Sequence, residues 1–252
     1  MIHRDELQQY LHLHLECDRF KDHAPNGLQV EGRGVIKRIC TAVSASEHAI
    51  AAAIACDADA LLVHHGYFWS AESAVITGIK RNRIARLLRN DLNLYAYHLP
   101  LDAHATLGNN ACLATLLCAN SVQMHPVDGI PQLLWSGELS TAVTADLFKL
   151  QISQILDRAP LMISGGNNLI QRIAWCSGAA QSLIDQAHKF GVDAYLSGEV
   201  SERTFDQAKE LGIHYFACGH HATERYGIQA LGEHLATTFD LKHSFIDSDN
   251  PV

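Results

Sequence analysis

A short aliphatic run that ends in two histidines and a glycine places the strongest constraint on how this chain folds. The run is Leu61–Val63, and His64, His65 and Gly66 follow it directly. Consecutive aliphatic residues bounded by a turn-forming glycine are typical of a strand that is buried on both faces. Two imidazoles at the end of such a strand lose their hydration, so they need partners there. A metal centre is the leading hypothesis, and its remaining ligands must come from elsewhere in the chain.

The composition allows an ordinary globular core and argues against non-specific binding of nucleic acid. Of the 252 residues, 48% are hydrophobic and 18% are charged, and the formal net charge is −8. Binding to a phosphate backbone needs clustered lysine and arginine, and only a local patch such as Lys80–Arg83 offers this. The chain has 16 histidines, a high number for its length, and histidine is the commonest metal ligand.

The cysteines and the N-terminus indicate a cytoplasmic protein without a membrane segment. There are seven cysteines, an odd number, and none forms a Cys-x-x-Cys pair. This pattern predicts reduced thiols, with neither a disulfide framework nor a thiolate zinc site. Residues 1–20 lack the apolar core of a signal peptide. The longest apolar stretch, Ala49–Cys56, is too short to span a bilayer.

Predicted strands and helices alternate through the first half of the chain. The strands are Ile36–Val43, the run that ends at His65, and Leu92–Tyr97. Between them, a capping box at Ser44–Glu47 begins one helix, and Arg83–Arg89 forms another. This alternation predicts an α/β fold with mainly parallel sheets and covering helices.

A polar stretch near the middle of the chain is interpreted as a domain boundary. Residues 121–131 contain two prolines and a glycine, which are typical of loops. The first domain is therefore predicted to cover residues 1–124 and the second residues 125–217. The C-terminal residues 218–252 are predicted to pack back onto the first domain.

The second half of the chain repeats the order of elements in the first half. Placed without a gap, the sequence from Arg172 onward aligns with the sequence from Arg38 onward. Asp59–Ala60 then aligns with Asp193–Ala194. Apolar patterning accounts for some of the identities, but the matching order of strands and helices favours an internal duplication. The chain is therefore predicted to hold two similar α/β units.

Three groups of metal-binding side chains follow predicted strands: His64–His65, Asp102, and the segment from His220 to Glu224. Ligands of parallel α/β sheets bind beyond the carboxyl ends of the strands. Nitrogen and oxygen donors without a thiolate suit Zn, Mn, Fe or Ni equally. Each group also has a plain alternative, because a His-His pair arises by chance in a histidine-rich chain and a lone aspartate is often a cap or turn residue.

The spacing of these side chains suggests two metal ions. Adjacent residues of an extended chain point in opposite directions, so His64 and His65 are predicted to reach different ions. His220 and Glu224 are four residues apart and share one face if a helix begins there. With Asp102, the set predicts two ions about 3.5–4 Å apart, the spacing of two-metal hydrolytic centres.

Four motifs together resemble the signature of the Nif-three-like family, often labelled GTP cyclohydrolase 1 type 2. They are Val63–Trp69, His98–Asp102, Ser197–Val200 and Gly219–Glu224, and the similarity extends from Ala24 to the C-terminus. The resemblance implies two similar α/β domains with metals between them, assembled as a toroidal homohexamer. It also implies a dinuclear metal centre, in which the glutamate bridges the ions, with the ligands His64, His65, Asp102, His220 and Glu224.

The leading functional hypothesis is a metal-dependent hydrolase that acts on a small molecule, with a nucleotide such as GTP as the candidate substrate. Two divalent ions would be its cofactors, and Glu224 would take part in catalysis as their bridging ligand. His98 and His221 are further catalytic candidates, as hydrogen-bonding partners of the ligands or as proton shuttles. Glu199 also lies near the inferred site. The alternative for each histidine is a purely structural, hydrogen-bonded role.

A second hypothesis belongs to a different class of protein. The resemblance includes an association with radiation resistance, so the chain could form a metal-binding, ring-shaped scaffold or regulator in a DNA-damage response, without turnover. The net charge argues against nucleic acid on the outer surface of such a ring. A ring lumen lined with lysine and arginine would favour nucleic acid there, whereas an acidic lining would oppose it.

Overall fold

The chain divides into two compact units in a computed structural model that describes all residues, 1–252. The first unit comprises residues 1–101 and 227–249, and the second comprises residues 102–226 and 250–252. These limits differ from the predicted boundaries at residues 124 and 217. Residues 227–249 of the C-terminal segment lie in the first unit, whereas the sequence-based expectation was a segment of residues 218–252.

The strands and helices alternate as the sequence predicts. The strands are β1 (Ile2–His3), β2 (Gly27–Val30), β3 (Val35–Ile36), β4 (Arg38–Ser44), β5 (Ala60–His65), β6 (Asn93–Ala96), β7 (Asn120–Val127), β8 (Ile130–Val143), β9 (Leu161–Ile163), β10 (Ile170–Cys176), β11 (Ala194–Ser197), β12 (His214–Ala217) and β13 (Lys242–Phe245). The helices are α1 (Arg4–His14), α2 (Glu47–Ala55), α3 (Gly78–Arg89), α4 (Leu99–Ala103), α5 (Asn109–Leu116), α6 (Ala145–Leu156), α7 (Ile184–His188), α8 (Glu202–Leu211) and α9 (His220–Phe239).

The first unit contains a five-stranded sheet in the order β13-β4-β5-β6-β2. Strands β13, β4, β5 and β6 are parallel, and β2 joins the edge antiparallel to β6. Leu61 and Val63 of β5 are fully buried and pack in a core with Ile50 of α2 and Leu87 of α3. The central position of β5 therefore explains its continuous aliphatic run, and it carries His64 and His65 to the carboxyl end of the sheet.

The second unit contains a six-stranded mixed sheet in the order β7-β8-β10-β11-β12-β9. Only β10, β11 and β12 are parallel to one another, whereas β8 and β9 flank them in the antiparallel direction. The core on one face includes Phe148 of α6, Trp175 of β10 and Phe216 of β12. The prediction of an α/β fold is confirmed, with the qualification that this sheet is mixed.

The stretch that was interpreted as a domain boundary forms a β-hairpin inside the second unit. Val127 of β7 pairs with Ile130 of β8, and Asp128 and Gly129 between them both have positive φ, 49° and 83°. An Asp-Gly pair in this conformation is the preferred two-residue hairpin turn, which is the sequence signal that would have identified it. Pro126 is tolerated because β7 is an edge strand, where a missing N–H breaks no ladder bond.

The cap of α2 also differs from the prediction. Ser46, and not Ser44, is the N-cap residue, and its Oγ accepts a hydrogen bond from the backbone N–H of Ala49 at 3.1 Å. Strand β4 continues through Ser44, so the helix can begin only after it. Because Ser44 does not cap the helix, its hydroxyl can contact another group, and Oγ lies 3.2 Å from Nδ1 of His65. Thr144 is the N-cap of α6, and its Oγ1 accepts a hydrogen bond from the backbone N–H of Leu147 at 3.3 Å.

The two units share a strand register that supports internal duplication. Ile39 of β4 lies opposite Ala60 of β5, and Ile173 of β10 lies opposite Ala194 of β11. These are the residues that the sequence repeat aligns. In each unit, the third parallel strand is also flanked by an antiparallel strand that comes earlier in the chain, β2 beside β6 and β9 beside β12. The units differ at the other edge of the sheet, where β13 is parallel to β4 and β8 is antiparallel to β10.

An aspartate at the start of the second parallel strand performs the same structural task in both units. Oδ2 of Asp59 accepts hydrogen bonds from the backbone N–H groups of Lys37–Arg38, at 2.8 and 3.0 Å. Oδ2 of Asp193 accepts from the N–H groups of Gln171–Arg172, at 3.0 and 2.7 Å. Each carboxylate therefore ties the beginning of one parallel strand to the beginning of its neighbour.

Replacing either aspartate with alanine is expected to lower the free energy of unfolding by about 2 kcal/mol, because charge-assisted hydrogen bonds to two backbone N–H groups are lost. Asp57→Ala is the control, since this side chain is 81% exposed and its partner Arg33 lies 3.4 Å away. It should change stability by less than about 0.5 kcal/mol. Urea unfolding followed by circular dichroism measures the free energy of unfolding of Asp59→Ala, Asp193→Ala and Asp57→Ala. Equal stability of wild type and Asp193→Ala would contradict the shared role.

None of the helices combines the length and the apolar character needed to span a lipid bilayer. All seven cysteines are free thiols.

Candidate metal centre

Three imidazoles of the first unit converge at the carboxyl end of its sheet. His64 and His65 end β5, and His98 follows the neighbouring parallel strand β6. The ring centroids of His64 and His98 are 5.1 Å apart, and those of His65 and His98 are 5.8 Å apart. One ring nitrogen from each of the three residues lies within 4.8 Å of the other two. The parallel pairing of β5 and β6 therefore brings together donors that are more than thirty residues apart in the sequence.

The rings of His64 and His65 do not diverge as alternation along a strand predicts. Their centroids are only 4.6 Å apart. Alternation fixes the direction of each Cα–Cβ bond, but β5 ends at His65, and each ring is then oriented by its own hydrogen bond. Nδ1 of His64 donates to the carbonyl oxygen of Tyr97 at 3.0 Å. Because a carbonyl can only accept, Nδ1 carries the proton and Nε2 carries the lone pair that a metal needs.

His98 is held by a buried carboxylate. Its Nδ1 donates to Oδ1 of Asp22 at 2.7 Å, and the Asp22 side chain is only 3% exposed. Oδ2 of Asp22 accepts from Nδ2 of Asn26 and from the backbone N–H of Leu99, both at 2.9 Å. Burial by itself raises the pKa of Asp22, but the hydrogen bond and charge of His98, with these further donors, outweigh it and lower the pKa to about 2. Asp22 is therefore ionised at neutral pH.

The second unit places Asp102 in α4 with two donors that fix its carboxylate. Nδ2 of Asn109 donates to Oδ1 of Asp102 at 2.8 Å, and Oγ of Ser177 donates to the same oxygen at 2.9 Å. Asp102 is buried, at 5% exposure. A carboxylate oxygen of Asp102 also lies within 4.8 Å of one of Glu224. The hydrogen bonds from Asn109 and Ser177 fix the orientation of the Asp102 carboxylate, which lies close to the buried carboxylate of Glu224.

His220 and Glu224 lie on the first turn of α9, as the four-residue spacing predicts. Nε2 of His220 is 3.1 Å from Oε2 of Glu224, and Nδ1 of His220 donates to Oε1 of Glu199 at 2.7 Å. Burial by itself lowers the pKa of His220, but the hydrogen bonds and charges of Glu224 and Glu199 raise it to about 9. A carboxylate on Nδ1 is the partner that metal-binding histidines usually have. Glu199 thus has a structural role that the sequence did not define.

Gly178 provides the space that the Glu224 carboxylate occupies. Its φ is +66°, and a Cβ built on it would lie 2.3 Å from Oε1 of Glu224 and 3.2 Å from Nε2 of His220. No other residue type fits this position without displacing the carboxylate. The tight approach of the backbone to Glu224 therefore depends on glycine.

Within each unit, the donor atoms are of the types that bind divalent metal ions. The first unit offers imidazole nitrogens, and the second offers an imidazole and two carboxylates that are at most 5% exposed. Two buried carboxylates close to each other repel unless cations compensate them. The set of nitrogen and oxygen donors without thiolate suits Zn, Mn, Fe or Ni.

The family model for Duf34/NIF3 (NGG1p interacting factor 3) matches residues 2–251 of the chain. The chain belongs to the Duf34/NIF3 family. A relative from Pasteurella multocida (strain Pm70), named "GTP cyclohydrolase 1 type 2 homolog", is 52% identical over 249 residues, which cover 98% of each chain. The family predicted from the four motifs is therefore confirmed.

Solved structures of similar chains confirm the fold of this Duf34/NIF3 protein. The structure titled "protein ybgI, unknown function" is 48% identical, covers all of both chains and superposes with a TM-score of 0.93. TTHA1606 from Thermus thermophilus is 32% identical over all of both chains, with a TM-score of 0.89.

The sequence alone does not identify several residues that position the candidate ligands. Asp22, Asn109, Ser177 and Gly178 all lie in loops or at helix ends and belong to no metal-binding pattern. His221 was a catalytic candidate, and it is buried, with its backbone N–H donating to the carbonyl of Val252 at 2.9 Å. It lies outside the groups of converging metal-binding atoms, so its catalytic role stays a prediction.

Proposed function

We propose that this protein is a hydrolase of a small molecule that depends on two divalent metal ions. The observation that carries the proposal is the presence of converging imidazoles and buried carboxylates whose orientation is fixed by further hydrogen bonds. Assignment of both sets to one dinuclear centre rests on the family resemblance. In this assignment His64, His65, Asp102, His220 and Glu224 would hold the two ions, and Glu224 would be a ligand of both.

The residues around the ligands have defined tasks in this proposal. A pair of divalent ions would lower the pKa of water and stabilise negative charge on the attacked group. Ser177 and Asn109 hold the Asp102 carboxylate in one plane, and Glu199 holds Nδ1 of His220. These hydrogen bonds keep the donors in position, so that little reorganisation accompanies the reaction. His221 is proposed to hold or move a proton.

A nucleotide such as GTP is the proposed substrate. The support is the name "GTP cyclohydrolase 1 type 2 homolog", which the relative from Pasteurella multocida carries. Phosphate oxygens are hard donors that divalent cations bind readily. We also propose a toroidal homohexamer, as the resemblance implies, and a cytoplasmic location, which the seven free thiols support.

Elemental analysis of the native protein, followed by an activity screen, tests this function. About two divalent ions per chain are expected. The screen uses GTP and other nucleotides, phosphoesters and peptides, with products identified by mass spectrometry, and turnover should stop after chelation and return with the metal. Absence of bound metal would reject the proposal. Bound metal without turnover on any of these substrates would favour the ring-shaped scaffold instead.

A further inference from the structure

His98 has the features of a metal ligand, although the resemblance does not include it among the ligands. Its Nδ1 is bonded to Asp22, and its Nε2 makes no hydrogen bond to the protein. A metal-binding nitrogen of His98 lies within 4.8 Å of those of His64 and His65. A histidine with a purely structural role would be expected to use both ring nitrogens within the protein.

The ring of His98 is fixed from two sides. Trp69 packs against it in a T-shaped arrangement, with ring centroids 4.9 Å apart and an interplanar angle of 82°. The carboxylate of Asp22 holds Nδ1, and the backbone N–H of His98 donates to Oδ1 of Asn26 at 2.8 Å. Rotation of the imidazole would break the bond to Asp22 and leave a buried carboxylate without this donor. The ring is thus oriented before any ligand arrives.

The protonation of the ring follows from the same contact. The Asp22 carboxylate accepts a hydrogen bond from Nδ1–H of His98, so Nδ1 keeps the proton and Nε2 carries the lone pair. The lone pair of His64 is on Nε2 for the same reason, since its Nδ1–H donates a hydrogen bond to the carbonyl oxygen of Tyr97. The partner of His98 Nδ1 is the Asp22 carboxylate, whereas the partner of His64 Nδ1 is a backbone carbonyl. A carboxylate makes the opposite nitrogen a better metal donor.

We propose that His98 is an additional metal ligand, and that Asp22 is its positioning residue, which holds Nδ1 protonated and directs Nε2 to the ion. This inference rests on the proposed function, because it concerns ions that the other ligands also bind. It adds one imidazole and one orienting carboxylate to the centre. Asp22 acts only through His98 and does not itself contact the ion.

Cobalt substitution of the full-length protein tests this proposal without any substrate. Each imidazole that binds Co²⁺ with Nε2 gives one strongly shifted, exchangeable N–H signal in the proton NMR spectrum. His98→Ala is expected to lose one such signal and to weaken Co²⁺ binding at one site by about 10–100-fold. Asp22→Asn should weaken binding by about tenfold and move or remove the same signal, because an amide can donate to Nδ1 and favour the wrong tautomer.

Two control variants make the result specific. Asp18→Asn removes a similar carboxylate–imidazole pair on the exposed surface, where Nε2 of His12 lies 2.9 Å from Oδ1 of Asp18. It should leave Co²⁺ affinity and all shifted signals unchanged. His64→Ala removes a proposed ligand of the parent centre and should lose metal. Circular dichroism establishes that each variant is folded. In His98→Ala the Asp22 carboxylate keeps its hydrogen bonds from Asn26 and Leu99, so this variant tests the ligand role even if Asp22→Asn does not fold.

The outcomes separate this inference from the proposed function. Wild-type affinity and a complete set of shifted signals in His98→Ala, together with metal loss in His64→Ala, would overturn the ligand role of His98 alone. A normal spectrum in a folded Asp22→Asn variant would overturn the positioning role. A wild-type protein that binds no Co²⁺ would overturn both the inference and the function on which it rests.

Discussion

Replacing Glu224 with glutamine is expected to remove metal from the protein and to lower hydrolysis by about 10³-fold or more, because a Lewis-acid ion contributes several kcal/mol to such reactions. The side chain is 2% exposed and its Oε2 lies 3.1 Å from Nε2 of His220. Glutamine has nearly the same shape, so packing is preserved. It lacks the negative charge and the second oxygen donor that a bridging ligand needs.

Glu233→Gln is the matched control, because this residue lies on the same helix α9 and is exposed. Its Oε1 accepts a hydrogen bond from Nε2 of Gln229, at 3.1 Å. Metal content after dialysis, measured by plasma mass spectrometry, should fall in Glu224→Gln and stay at the wild-type value in Glu233→Gln. Size-exclusion chromatography verifies that both variants keep the wild-type assembly. Full metal content and activity in a correctly assembled Glu224→Gln variant would refute the assignment of this residue.

Gly178→Ala is expected to cause the second-largest effect, a loss of metal affinity without global unfolding. Its φ of +66° makes any side chain unfavourable by about 1–2 kcal/mol. The new Cβ would also lie 2.3 Å from Oε1 of Glu224. That oxygen is at the far end of a side chain, so the carboxylate can rotate away more easily than the backbone can shift. The displaced carboxylate would then no longer lie where the proposed metal site requires it.

Gly212→Ala is the control that separates the two effects of Gly178→Ala, the backbone strain and the contact of the new Cβ with Glu224. Gly212 ends α8 with a φ of +69°, and no atom lies within 4 Å of the position that a Cβ would take. Both variants therefore share the backbone strain, and only Gly178→Ala adds the contact with Glu224. Thermal unfolding should show a similar loss of stability, whereas isothermal titration with Zn²⁺ should show weakened binding in Gly178→Ala alone. Equal Zn²⁺ affinity in the two variants would mean that the space at Gly178 is not important for the site.

The sequence alone was sufficient to predict the α/β class, the family and the duplication. These properties depend on patterns that are local or periodic along the chain. The aliphatic run before His64 predicts a buried central strand, and the aligned residues Asp59 and Asp193 prove to make the same hydrogen bonds in the two units. The Asp128–Gly129 pair is a turn signal for a two-residue hairpin, whereas the neighbouring prolines are typical of a loop, so this stretch of sequence supports both interpretations.

The orientation of each candidate ligand was decided only by the tertiary structure. Asp22 and His98 are 76 residues apart in sequence, and Asp102 and Ser177 are 75 residues apart. No sequence periodicity connects such pairs. They meet only after several strands and helices have packed and brought distant loops together. These contacts set which imidazole nitrogen carries the proton and which plane a carboxylate adopts. The sequence by itself thus determined which donors the protein has, whereas the folded structure determined where their lone pairs point, since a hydrogen bond between distant loops depends on three-dimensional position.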